Sequence, residues 1–225
     1  KSEEMQNLAE IIRPTVGILT NIGEAHQENF ISKKEKLSEK LKLFFSCQSL
    51  IYCKDQSLVH SEIIHNLPNS EIKLWAWSFV DENADLYFRK KKLEGGTSIA
   101  VDFEGKTSQI CVPFQDEASL ENAGHCLAFL LLQHYAEPSA LGLFGSLQPV
   151  AMRLEIKEGV NNCLLINDYY NSDINSLKIA LAFLNNHARQ PYLQKTVILS
   201  DIQQAGIPDE QLYQEMVKYG RRNIA

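Results

Sequence analysis

The sequence contains no C-x-x-C pair, no G-x-x-x-x-G-K-S/T loop and no basic-then-apolar leader at its start. It also has no apolar run near the roughly 18 residues that cross a bilayer. The five cysteines, Cys47, Cys53, Cys111, Cys126 and Cys163, are odd in number and scattered. They argue against a disulfide framework or a structural zinc site and suit a reducing compartment. The longest apolar stretch, residues 126–132, falls inside a helical pattern. The expectation is therefore a soluble, cytoplasmic protein. Without a phosphate-cradling loop, the chain is not a complete P-loop enzyme. The net charge of −6 gives no field that would draw nucleic acid or an anionic membrane. Lysines at 33, 34, 36, 40 and 42 and at 90–92 form runs that read as solvated faces.

What is present is ordinary globular material, 44% hydrophobic and 22% charged, long enough to bury one sizeable core or two small ones. Met5, Leu8, Ile11 and Ile12 recur at helical spacing, and Pro14 closes that helix. Residues 15–20 (TVGILT) read as a buried strand, and Ser32 with Glu35 as a capping box for a helix through about Phe45. A strand at 50–53, a helix at 56–66 and a strand at 73–79 follow. Residues 86–88, 98–103 and 108–112 read as an antiparallel meander, and 116–135 as a long helix with a shorter one at 139–145. Beyond about 147, strands at 153–157, 163–167 and 196–200 alternate with helices at 174–188 and 209–219, the rhythm of parallel βαβ units. A further strand is expected to start at the end of the chain, and both ends read as cut. Two α/β pieces meeting near residue 150 are expected, with no internal repeat.

Ligands of open α/β sheets bind beyond the carboxyl ends of strands. Residues 20–30 place His26 and two acids after the first strand, a set suited to a divalent cation or to plain solvation. Lys40 lies at the edge of its helix's stripe of Leu37, Leu41, Phe44 and Phe45. A partly buried amine favours its neutral, nucleophilic form, whereas a snorkelling lysine keeps its head in water. Asp168, in the loop 166–173, could bind a ribose or a cation. The next helix start favours an anion, or Asp173 merely caps it. Asn122 points away from the stripe of Leu120, Ala123, Leu127, Leu130 and Leu131, to read an adenine edge or face water.

Taken in order, these segments resemble the Mur ligase family of peptidoglycan amide ligases. RPTVGILTNIGEAHQENF with LSEKLKLFF resembles "TNIG-x-AH-x-E-x-F … A-K-x-E-x-F", and ENAGHCLAFL resembles "N-x-x-A-A". VAMRLE resembles "V-P-G-R-x-E", NDYYNSDINSLKIAL resembles "DD-x-YN-A-N-P-x-S-M-x-x-A-L", and ILSDIQQAG resembles "V-L-G-D-M-x-E-L-G". The resemblance implies an α/β chain. Residues 1–148 would be the C-terminal portion of an ATP-binding central domain of P-loop type, a mostly parallel sheet with an antiparallel meander. Residues 149–225 would be the first half of a Rossmann-like C-terminal domain. Departures are Lys42 for a glutamate, Met152 for a glycine, Asn167 for the first aspartate and Asp173-Ile174-Asn175-Ser176 for "N-P-x-S".

By the same resemblance, His26 is a magnesium ligand and Lys40, fourteen residues on (40 − 26 = 14), is carbamylated to help hold the metal. Asn122 reads adenine, Arg153 approaches the phosphates, Asp168 binds on the ribose side, and Tyr170 and Asn171 lie near the γ-phosphate and incoming amine. The implied cofactors are ATP and Mg²⁺. The Tyr170-Asn171 pair favours the branch that joins D-alanyl-D-alanine to UDP-N-acetylmuramoyl-tripeptide through an acyl phosphate. The wording is similar to a Bacteroidetes-type form that can be fused to an alanine racemase, of which no sequence is present. The phosphate loop and the UDP-binding domain lie outside these residues, so the chain alone is expected to be inactive. The rivals are a folylpolyglutamate synthase, disfavoured by the lack of histidine in 167–171, and a non-catalytic nucleotide-binding module.

Overall fold

The computed structural model describes residues 4–23, 30–67, 71–148, 154–169, 174–187, 194–202 and 207–224. The chain divides into two compact units, Lys1–Ile22 with Lys34–Gln148, and Gly23–Lys33 with Pro149–Ala225.

In the first unit, helix α1 (Glu4–Ile12) precedes β1 (Val16–Leu19), α2 (Lys33–Leu41), a 3₁₀ turn (Lys42–Phe44), β2 (Ser49–Cys53), α3 (Ser57–Asn66) and β3 (Lys73–Ser78). Strands β1, β2, β3 and β4 (Leu86–Tyr87) form one sheet in that order, every pairing parallel. Both faces are covered, so β2 is a continuous hydrophobic run. Its side chains alternate between two cores. Leu50 and Tyr52 join Leu37, Leu41, Val59 and Ile63 under α2 and α3. Ile51 and Cys53 join Trp77, Leu86 and Phe88 on the other face. There they meet α4 (Glu117–Leu132) and a second sheet of β5 (Arg89–Leu93), β6 (Gly96–Phe103) and β7 (Lys106–Val112), in that order and antiparallel. Gly17 of β1 is required because an added Cβ would collide with Phe44.

Two expectations for this region need correction. Leu86 and Tyr87 belong to the parallel sheet, and the meander's first strand is Arg89–Leu93, which the sequence does not suggest. Every residue of that strand is exposed. Its basic run hides a strand because β5 is an edge, where charge guards the free backbone against pairing with another chain.

After α4 come α5 (Pro138–Gly142) and a 3₁₀ turn (Leu143–Ser146). The second unit carries β8 (Glu155–Glu158) and β9 (Leu164–Asn167), then α6 (Ile174–His187) and α7 (Asp209–Ile224), which share a core of Leu177, Leu181, Ile202, Leu212 and Met216. Strands β8 and β9 pair antiparallel, contrary to the parallel arrangement expected here. Residues 196–200 are irregular, with Ile198 92% exposed. Their β-branched composition makes no strand because, among the described residues, no neighbour takes up their ladder hydrogen bonds. The chain ends in a helix through Ile224, where a new strand was expected.

Candidate functional site at the carboxyl edge of the parallel sheet

Three strand ends meet at this edge. Thr20 follows β1, the segment Lys54-Asp55-Gln56 follows β2, and Ser78 ends β3. Asp55 knots the last two together: its Oδ2 accepts the Phe79 amide at 2.8 Å and its Oδ1 accepts the Ser78 hydroxyl. Ser78 Oγ accepts the amides of Val80 and Asp81 at 2.9 and 2.7 Å. Lys54 Nζ lies 2.6 Å from Asp81, and that bond, with the Asn83 amide, holds the Asp81 carboxyl below its ordinary range.

Helix α4 lies beside these ends. Asp116 caps it, accepting the Ser119 amide at 2.8 Å, as its short acceptor side chain favours. Leu120, Ala123, Gly124, His125 and Leu127 face the core, and Asn122 is exposed as its spacing requires. Gln56 spans the gap between strand ends and helix. Its Nε2 donates to the Thr20 carbonyl at 3.2 Å and to Glu121 Oε1. Behind Glu121, the indole Nε1 of buried Trp77 donates to His125 Nδ1 at 3.0 Å, and His125 Nε2 stands 3.7 Å from Glu121 Oε1.

For Lys40 the structure fits the snorkelling alternative. It is exposed, not partly withdrawn from water, and the buried charged residues of α2 are Lys36 (4% exposed) and Glu39 (8%). At about 100° per residue, Lys40 falls between Lys36 and Leu37 on the packed side. Lys40 is nevertheless exposed while Lys36, one turn earlier, is buried. Glu39 pairs with Lys42 at 2.7 Å and Lys34 with Glu62 at 2.9 Å, so these neighbours have their own partners.

In the second unit Asp168 is half-buried just beyond β9, and its Oδ1 accepts the Leu154 amide at 3.2 Å. Leu154 adjoins Arg153 in sequence and has a left-handed φ of 47°. His26, Arg153, Tyr170 and Asn171 lie outside the described residues. Among the described residues no group of three or more His, Cys, Asp or Glu could hold a metal ion. Sequence reasoning missed Gln56, Glu121 and His125. The available signals were the i,i+4 spacing of Glu121 and His125 and a polar residue placed just after a strand.

The family model described as Mur ligase middle domain matches residues 1–130. The chain belongs to the Mur ligase family. It is 26% identical over 222 residues to the UDP-N-acetylmuramoyl-tripeptide–D-alanyl-D-alanine ligase of Rickettsia prowazekii, covering 96% of this chain and 48% of that protein. The chain thus spans about half the length of the curated relatives it matches. A MurF structure from Acinetobacter baumannii matches with TM-score 0.71 and 20% identity over 97% of this chain and 46% of its own. The MurF ligase of Thermotoga maritima in complex with ADP matches with TM-score 0.69 and 18% identity over 99% and 49%. An L. casei FPGS mutant shares the fold more loosely, at TM-score 0.54 and 14% identity over 94% of this chain and 49% of its own. This Mur ligase fold, a parallel sheet with an antiparallel sheet beside it, is the architecture expected from the sequence.

Proposed function

We propose that this chain is part of an ATP-dependent amide ligase that joins D-alanyl-D-alanine to UDP-N-acetylmuramoyl-tripeptide, carrying the end of its ATP-binding domain and the start of its C-terminal domain. The supporting observation is geometric. The root of the first loop, the end of β2 and the outward face of α4 converge at one sheet edge, the side where α/β sheets receive ligands. The choice of substrates follows the name carried by the Rickettsia relative. In this reading residues 1–148 complete a central ATP-binding domain, residues 149–225 open the C-terminal domain, and the joint near 150 is a hinge. The setting is the cytoplasm, consistent with the absence of any helix among the described residues long and apolar enough to cross a membrane.

Each residue then has a role. The exposed amide of Asn122 reads the adenine edge, and Asp168 takes a ribose hydroxyl. By the family resemblance, Lys40 as a carbamate and His26 would hold Mg²⁺, which would neutralise phosphate charge. Arg153 neutralises phosphate charge, and Tyr170 and Asn171 orient the γ-phosphate and the amine. ATP supplies the phosphoryl group that activates the tripeptide carboxylate. The chain's contribution is positioning and charge neutralisation.

The test is phosphate release by a full-length ligase carrying this segment, supplied with both substrates. Lys40→Ala should lower kcat by about 100-fold or more, the usual scale for losing a preorganised charge partner. Asn122→Ala should raise the KM for ATP by about 3- to 10-fold, the worth of one hydrogen bond. The 225-residue chain by itself should release no phosphate. Full activity in Lys40→Ala, or phosphate release indifferent to D-alanyl-D-alanine, defeats the assignment.

A further inference from the structure

We propose that Gln56 and Glu121 are positioning residues that hold Thr20, the residue after β1, against the nucleotide-reading turn of α4. The inference rests on the ATP-site reading given above for Asn122 and for the loop that carries His26.

Gln56 sits where three elements meet, just after β2, at the start of α3, and between Thr20 and α4. A side-chain amide nitrogen carries two hydrogens. One goes to the Thr20 carbonyl and one to Glu121, so the nitrogen's donors are fully committed to joining these segments. Thr20 is the last residue before the loop, and Glu121 immediately precedes Asn122. A shift of Gln56 therefore moves the loop root relative to the adenine reader.

Behind Glu121 lies a buried polar pair, Trp77 and His125. An indole N–H can only donate, so the Trp77 bond forces His125 Nδ1 to accept. In the neutral ring the proton then sits on Nε2, the atom that stands 3.7 Å from Glu121 Oε1 and has no hydrogen-bond partner. Trp77 is fully buried and His125 is 3% exposed, and the indole stacks on Phe88 at 5.3 Å. The buried Trp77–His125 pair thus stops 3.7 Å short of Glu121, and the hydrogen bonds that reach the sheet edge are those of Gln56.

The experiment measures steady-state kinetics in the full-length ligase carrying this segment, with ATP as the varied substrate. Gln56→Leu keeps approximate volume but removes both donors. It should raise the KM for ATP by about 3- to 10-fold, the scale of one or two lost hydrogen bonds, with kcat within about 2-fold. Glu121→Leu should do the same, and the double variant should be no worse than the weaker single, because both break one connection. Glu121→Gln retains a carbonyl oxygen for Gln56 and should restore a near-normal KM. Gln56→Glu, which sets two carboxylates against each other, should exceed Gln56→Leu. A Gln56→Leu enzyme with lowered thermal stability but an unchanged KM makes the cluster structural only and overturns the inference. Additive effects in the double variant overturn it too. A wild-type enzyme that ligates normally while these variants are silent sinks this inference alone. A wild type that fails to bind ATP sinks the functional reading beneath it.

Discussion

Gly124→Ala should weaken the fold, the reverse of its usual effect. In a helix interior this change normally gains about 1 kcal/mol through propensity. Gly124, however, faces the core of the first unit, and a Cβ there would lie 2.7 Å from Trp77 Cη2 and 3.0 Å from Cζ2 and Cζ3. Atoms that close cannot coexist, so one must move. Trp77 has little freedom to do so, being stacked on Phe88, edge-on to Phe79 and His125, and bonded through Nε1. Overpacking of this kind costs about 1–3 kcal/mol, so the expected net result is a loss of about 1 kcal/mol. Gly142 is the internal control. It has helical φ and ψ (−62° and −28°), and an added Cβ meets nothing within 4 Å. Gly142→Ala should therefore gain about 0.4–1 kcal/mol by restricting the unfolded chain. Urea unfolding of the 225-residue chain, followed by near-ultraviolet circular dichroism of the tryptophans, should move the two midpoints in opposite directions. Equal stabilisation by both substitutions would falsify the view that Trp77 is immobile against α4.

Two titrations test the electrostatics. Burial pushes the Cys53 thiol up to about 12 and raises Cys47 as well. At pH 8 only about one Cys53 in ten thousand is then a thiolate, the reactive form. A disulfide reagent at that pH should label exposed Cys111 and Cys163 first. Cys126, whose thiol burial also raises, should follow, and Cys47 and Cys53 should react only with unfolding; early labelling of Cys53 contradicts its burial. On the surface, the Arg89 guanidinium 2.7 Å from Asp102, helped by Thr107, holds that carboxyl below its ordinary 3.8. The pair's contribution is therefore present above pH 3.8 and fades as the pH falls through the lowered folded value. Carbon-detected NMR should show Asp102 returning toward 3.8 in Arg89→Ala, and no movement would remove Arg89 as the cause.

Periodicity made the sheet core legible. Alternating residues of β2 divide between two cores, and the stripe of α4 leaves Asn122 outside. Features that depend on a neighbour were less visible. Arg89–Leu93 is a strand because β6 pairs with it, whereas apolar residues 196–200 form none for want of a pairing neighbour among the described residues. The helical angle of Lys40 follows from the spacing, but its exposure beside buried Lys36 does not. His125 lies in ENAGHCLAFL, whose family pattern is N-x-x-A-A, and nothing in that pattern marks it. Its significance needs Trp77, 48 residues away, to fix which nitrogen bears the proton.

That remote dependence makes Trp77 the most informative core position. Trp77→Phe keeps an aromatic ring against Phe88 but deletes the Nε1 donor. His125 Nδ1 then loses its partner inside the core, at a cost of about 1–3 kcal/mol. With no donor opposite, the ring can place its proton on Nδ1, and Glu121 loses the N–H that faces it. Any effect on Gln56 must then cross the 3.7 Å between His125 and Glu121. Phe88→Leu is the matched control, since it disturbs the same fully buried cluster without removing the Trp77–His125 hydrogen bond. If the core supports the sheet edge through His125, Trp77→Phe should raise the KM for ATP while Phe88→Leu lowers only the unfolding midpoint. If the two variants lose stability equally and both keep the wild-type KM, the edge is held by the backbone alone, and the polar series from Trp77 to Thr20 has no part in binding.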